Sequence, residues 1–221
     1  ATTEIYTLAV SPDGRLLAAS IYRPAGHGHQ TEDVGYAIAP DGRMAEAWRR
    51  PSDDRWSPEH SFAFRRGADE LFGFVAAGAG GPQFVRARAA GGERVGSFPL
   101  ADAGPAGWNV AYWALSPDGD RVAWLSDRGL YVRDVEGDAD PRRLPADGGH
   151  RRGLAWSPDG RLVSYTTGTT VRLLDAGTLA EVRALDWNIG KPRAVAFAPD
   201  GLRAAVSGDG GRGWVTVFDL E

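Results

Sequence analysis

Short runs in which large apolar residues alternate with small or polar ones are broken along the chain by polar turns, the period-two pattern of half-buried β-strands. One hairpin recurs, as LAVSPDGRLLAAS (8–20), WALSPDGDRVAWLS (113–126), LAWSPDGRLVSYT (154–166) and VAFAPDGLRAAVS (195–207), with a degenerate copy, FAFRRGADELFGFV, at 62–75. The residue before Pro is Ser116, Ser157 and then Ala198, two successive steps of 41 residues. A repeat of that length sets the whole fold.

Each first strand reads apolar, Ala, apolar: Leu8-Ala9-Val10, Phe62-Ala63-Phe64, Trp113-Ala114-Leu115, Leu154-Ala155-Trp156 and Val195-Ala196-Phe197. Because side chains alternate across a strand, the Ala faces one neighbouring sheet and its bulky flanks the other. A second small residue follows the turn at one offset, as Ala18, Gly73, Ala123, Ser164 and Ala205. Close-packed sheets that are bulky on one face and small on the other can stack. In the turn, Pro presets φ, Asp suits the next position and Gly accepts positive φ as the chain re-enters a strand, which makes Pro-Asp-Gly a hairpin device. A second hairpin follows each first one, at 34–48, 83–98, 130–144 and 171–185, so each unit holds four strands. The APDG at 39–42 falls too soon after Ser11 to begin a new unit and is placed at the turn of a second hairpin.

These four PDG copies, with Asp134, Asp175 and Asp219 closing the third strands, resemble the β-propeller repeats of the WD40 and TolB-like families. Arg133, Leu174 and Phe218 stand where the Trp of a Trp-Asp dipeptide would be, and the single Gly149-His150 lies close to its turn, so the resemblance is to a degenerate WD40 or TolB-like type. It implies an all-β, five-bladed propeller of four-stranded antiparallel blades in a single domain, 1–221, with blades near 5–48, 60–98, 111–144, 152–185 and 193–219. The last blade is expected to have three strands. Only four residues precede Ile5, at most roughly 14 Å of extended chain, too short to add a strand and return. Its open edge is then a template for edge-strand pairing or self-association.

Composition narrows the partners. With 30 Gly, 14 Pro and 24% charged residues, the 221-residue chain fits turn-rich globular structure. A net charge of −4 with no basic run offers no footprint for nucleic acid. The absence of Cys excludes disulfides and thiolate chemistry and leaves the compartment open. No apolar run is long enough for a helical membrane span. G-x-S-x-G is absent, and Gly208–Gly213, though matching G-x-G-x-x-G, runs into the strand-like WVTVFDL rather than a helix. Neither a catalytic group nor a cofactor site is expected.

The segment 23–33 reads as the longest loop within a blade, and His27, His29 and Asp33, with Glu32 and His60, are weakly spaced candidates for a divalent metal. Aromatic and Arg side chains dominate interaction hot spots. Trp48, Arg49, Arg50, Arg55, Trp56, Trp108 and Trp187 are therefore the candidate binding-surface residues, the tryptophans alternatively sealing gaps between blades. Trp113, Trp124 and Trp156 fall on core strand positions. The function expected is a non-enzymatic scaffold that binds a protein or peptide through loops 22–33 and 49–60. The alternatives are a small-ligand or glycan binder and a propeller fragment of a larger enzyme.

Overall fold

The repeated turn is clasped by its own side chains. In the computed structural model, Ser157 Oγ donates to Asp159 Oδ1 at 2.6 Å and accepts the Leu162 amide at 2.9 Å, while Asp159 Oδ1 also accepts the Arg161 amide at 3.0 Å. The same set recurs at Ser11 and Asp13 and at Ser116 and Asp118. The turn glycines take φ of +71° at Gly14, +79° at Gly119, +70° at Gly160 and +75° at Gly201, where a Cβ is strained.

Hydrogen bonds to the ionised form hold Asp13 and Asp159 below the ordinary carboxylate value, first from the serine hydroxyl and then from the backbone amide. A depressed folded pKa contributes stability above the unfolded value that is lost as pH falls through the folded one. The denaturant midpoint is therefore expected to hold steady down to about pH 5 and drop steeply below it. Ser157→Ala should cost about 1 kcal/mol at neutral pH, flatten that acid slope and raise the NMR-titrated pKa of Asp159. An unchanged Asp159 titration would show that the hydroxyl does not hold this carboxylate.

The structure describes residues 4–25, 28–51, 62–67, 69–75, 83–100, 112–186, 190–209 and 213–220. Two compact units divide the chain, Ala1–Trp108 and Asn109–Glu221. Among the described residues all regular structure is antiparallel β. In the first unit, β1 (Glu4–Val10), β2 (Leu16–Ala25), β3 (Gly28–Ile38) and β4 (Met44–Pro51) make blade 1 in sequential order. Blade 2 follows as β5 (Ala63–Phe64), β6 (Glu70–Val75), β7 (Gln83–Arg88) and β8 (Arg94–Pro99).

In the second unit, blade 3 is β9 (Tyr112–Leu115), β10 (Arg121–Ser126), β11 (Gly129–Asp134) and β12 (Arg142–Pro145). Blade 4 is β13 (Arg151–Trp156), β14 (Leu162–Thr167), β15 (Thr170–Asp175) and β16 (Glu181–Asp186). Blade 5 has the three strands β17 (Lys191–Phe197), β18 (Arg203–Asp209) and β19 (Trp214–Asp219). The 39–42 turn does join β3 to β4, within a second hairpin.

Small faces meet bulky ones inside each unit. Ala18 packs with Phe62 and Phe64 across blades 1 and 2. Ala114 and Ala123 pack with Leu154 and Trp156 across blades 3 and 4, and Ala155 with Val195 and Phe197 across blades 4 and 5. The cross-strand partners are Ala9 with Ala18, Ala114 with Ala123, Ala155 with Ser164 and Ala196 with Ala205.

Two expectations are corrected. In blade 2 the residue opposite Ala63 is the fully buried Phe72, not Gly73. Its turn is as long as the others, Arg65 N donating to Glu70 O as Ser11 N does to Leu16 O, so the register is kept and Gly73 lies one position on. The segment 23–33 is not a loop within the blade. The β2–β3 ladder continues through Tyr22–Thr31 and Pro24–His29 to Ala25–Gly28, because the backbone keeps pairing where the side-chain pattern weakens.

Candidate functional site

Of the residues named from the sequence, Trp48 is sealed inside. Its indole N–H on β4 donates to Ala89 O of blade 2 at 2.9 Å, and the ring packs on Ala18 and Leu71. It closes the gap between two blades, which corrects its place among surface candidates: a flat ring over Gly35, where no side chain intervenes, gains more by burial than by exposure. Arg50 lies over that ring, 5.4 Å from its centroid, and donates to Asp33 at 3.4 Å and to Gly92 O at 3.0 Å. Arg49 pairs with Glu32 and Glu46, both at 2.6 Å.

Both arginines thus sit on a strand with their charges matched, and β4 reaches Pro51 before the 49–60 segment leaves the described residues. Arg55, Trp56, Trp108, Trp187, His27 and His60 lie outside the described residues. His29 is placed on β3 opposite Pro24. Asp33 is buried and accepts from Ser20 Oγ at 2.8 Å as well as from Arg50. That carboxylate is thus partnered within its own blade. Among the described residues no three His, Asp or Glu side chains converge.

A different site opens in the second unit. Between blades 3 and 4, Arg121 at the start of β10 crosses the interface. Its guanidinium lies 5.0 Å from the Trp156 ring centroid and donates to Gly160 O at 2.6 Å, while Trp156 Nε1 donates to Ala114 O at 3.0 Å. One blade later the position of Arg121 is taken by Leu162, and those of Trp156 and Gly160 by Phe197 and Gly201. An aliphatic side chain cannot make the same span.

A cleft of 520 Å³ remains between the two turns, lined by Leu162, Phe197, Gly201, Asp159, Asp200 and Arg183 among others. Asp159 and Asp200 are held below the ordinary carboxylate value, Asp159 first by the Ser157 hydroxyl and Asp200 first by the Leu202 amide, so both are anionic at neutral pH. Arg183 is tied to Leu220 O at 2.9 Å. The arrangement is an apolar slot under an acidic rim, suited to a side chain with a cationic end and an apolar stem. Composition could not have found it; the position varies among the repeats as Leu16, Glu70, Arg121, Leu162 and Arg203, and only the structure shows that Arg121 spans its interface.

Five antiparallel sheets, with small-to-bulky contacts between blades 1 and 2, 3 and 4, and 4 and 5, give this chain a β-propeller fold. Solved structures with the same fold include a candidate 6-phosphogluconolactonase from Bacteroides uniformis, at 15% identity and a TM-score of 0.71 over 98% of this chain and 67% of that one. The β-propeller domain of Cps50 (Swd1) from Myceliophteria thermophila matches at 14% identity and a TM-score of 0.67, over 98% of this chain and 84% of its own. A chain of the Mitotic Checkpoint Complex matches at 13% identity and a TM-score of 0.72, over 99% of this chain and 63% of its own. No protein-family model and no curated sequence matches the chain.

Proposed function

We propose that this propeller is a non-enzymatic interaction scaffold that holds a protein or peptide segment in the cleft between blades 4 and 5. The observation that carries this reading is the cleft beside Leu162, a space of the kind that Arg121 fills in the preceding interface. The likeness to the Swd1 propeller domain and to a chain of the Mitotic Checkpoint Complex supports it at the level of fold.

A second surface points the same way. Val171 and Leu173 on β15 are 1% and 5% exposed under blade 5, whereas Val215 and Val217, at the same positions of β19, are 70% and 61% exposed. Beside them, β19 has no outer partner strand among the described residues, which favours edge-strand pairing or self-association at this blade. The candidate lactonase neighbour favours instead a small-ligand or enzymatic propeller.

Selection of displayed peptides against the whole chain, followed by amide-shift mapping, separates these readings. Bound peptides are expected to shift the amides of Leu162, Phe197 and Gly201. The variant Leu162→Arg, which supplies the missing guanidinium from within, should weaken them about tenfold or more, ~1.4 kcal/mol. Peptides that bind but leave those amides unmoved would overturn the cleft as the site, and turnover of a lactone by the chain would favour the enzymatic reading.

A further inference from the structure

The fold contains its own pattern for what fills such a cleft. At the interface of blades 3 and 4 an arginine runs from the edge of β10 over an aromatic ring and ends on a turn-glycine carbonyl. The aromatic ring and the glycine carbonyl recur between blades 4 and 5 as Phe197 and Gly201, the latter with the same positive φ, +75° against +70° for Gly160. Only the arginine is missing, and Leu162 in its place adds apolar surface for an aliphatic stem.

The charges suit the absent group. Asp159 and Asp200 line the cleft together with Arg183, which already donates to Leu220 O, and Asp200 accepts the Leu202 amide at 2.9 Å and pairs with Arg203 at 3.5 Å. A guanidinium is planar, stacks on aromatic faces and donates in several directions at once, whereas an ammonium is a compact, strongly hydrated point charge.

Resting on the reading of this cleft as a binding site, we propose that it is an arginine pocket: an arginine side chain of the partner segment lies over Phe197, donates to Gly201 O and meets the Asp159 and Asp200 carboxylates. It takes the place that Arg121 occupies one interface earlier. Selectivity for arginine over lysine then comes from the ring and the carbonyl, and attraction to either cation from the carboxylates.

The test titrates the whole chain with three short peptides that share apolar flanks and differ only in a central arginine, lysine or citrulline, following the amides of Leu162, Phe197 and Gly201. The arginine peptide is expected to bind at least about fivefold more tightly than the lysine one and about tenfold more tightly than the citrulline one. The variant Leu162→Arg is expected to weaken binding of all three about tenfold or more while melting no lower than the parent chain, since it recreates a contact the fold already makes. The variant Phe197→Leu should reduce the preference for arginine over lysine and leave the citrulline peptide weakest. Equal affinity for arginine and lysine overturns the arginine pocket and leaves the cleft a binding site. Selected peptides that shift the cleft amides but lack arginine do the same. If no peptide moves those amides, both readings fall.

Discussion

Trp156→Ala should lower the stability of the chain by about 3–5 kcal/mol, the usual cost of truncating a buried aromatic to a methyl group. The ring is buried among Ala123, Leu125, Val163 and Tyr165, so its removal leaves a void between blades 3 and 4. Two polar losses add to the void. Ala114 O loses its indole donor, and the Arg121 guanidinium loses the face it rests on. Native domains hold only some 5–15 kcal/mol in reserve, so the variant should show a much lower urea midpoint at unchanged baseline slope. Trp156→Phe keeps most of the apolar contact and should cost closer to 1–2 kcal/mol, mainly the hydrogen bond. If Trp156→Ala melts within a degree or two of the parent chain, blades 3 and 4 are not held together as described.

Gly153→Ala is expected to cost about 2–4 kcal/mol although it adds a single carbon. Gly153 has φ of +59°, and a Cβ there would come within 2.7 Å of Arg193 O and 2.9 Å of Ala194 Cα on β17. It also sits in the register shift between Arg152 and Ala155 of β13. Backbone strain and a clash with the neighbouring blade's backbone act together, and neither is relieved by rotating a side chain. Gly168 supplies the control. Its φ is +58°, but nothing lies within 4 Å of an added Cβ. Gly168→Ala should therefore show the strain alone, about 1 kcal/mol. Denaturant titration of the two variants reads the difference directly, and equal losses would show that the approach of β17 to β13 is looser than described.

Much of the fold follows from local chemistry that the sequence displays. The Ser-Pro-Asp-Gly turn needs only residues within six positions of one another, and its hydrogen bonds fall where the residue types place them. The alternation of Ala with bulky neighbours assigns faces to each first hairpin, and the packing of Ala114 and Leu154 against one cluster, and of Ala155 and Phe197 against another, follows that assignment. Even the three-stranded last sheet follows from counting strand-like runs.

The site was less legible. Trp48 and Val217 are both large apolar residues on strands, yet one is 9% exposed and the other 61%. Nothing in their immediate neighbours along the chain separates them. Arg49 and Arg50 look like free cations until Glu32, Glu46 and Asp33 meet them from other strands or other positions of the same blade.

What the amino-acid order settled by itself is the repeating hairpin, its clasped turn and the small-to-bulky code between blades, since each depends on contacts between residues near in sequence or at a fixed period. The tertiary structure alone decided which charges are matched, which tryptophan is sealed inside and where the spacing between blades fails to close. Those outcomes depend on side chains reaching across from the neighbouring blade, as Arg121 does to Gly160 and Leu162 does not to Gly201. Reach across an interface is a distance in space, and a one-dimensional pattern does not contain it.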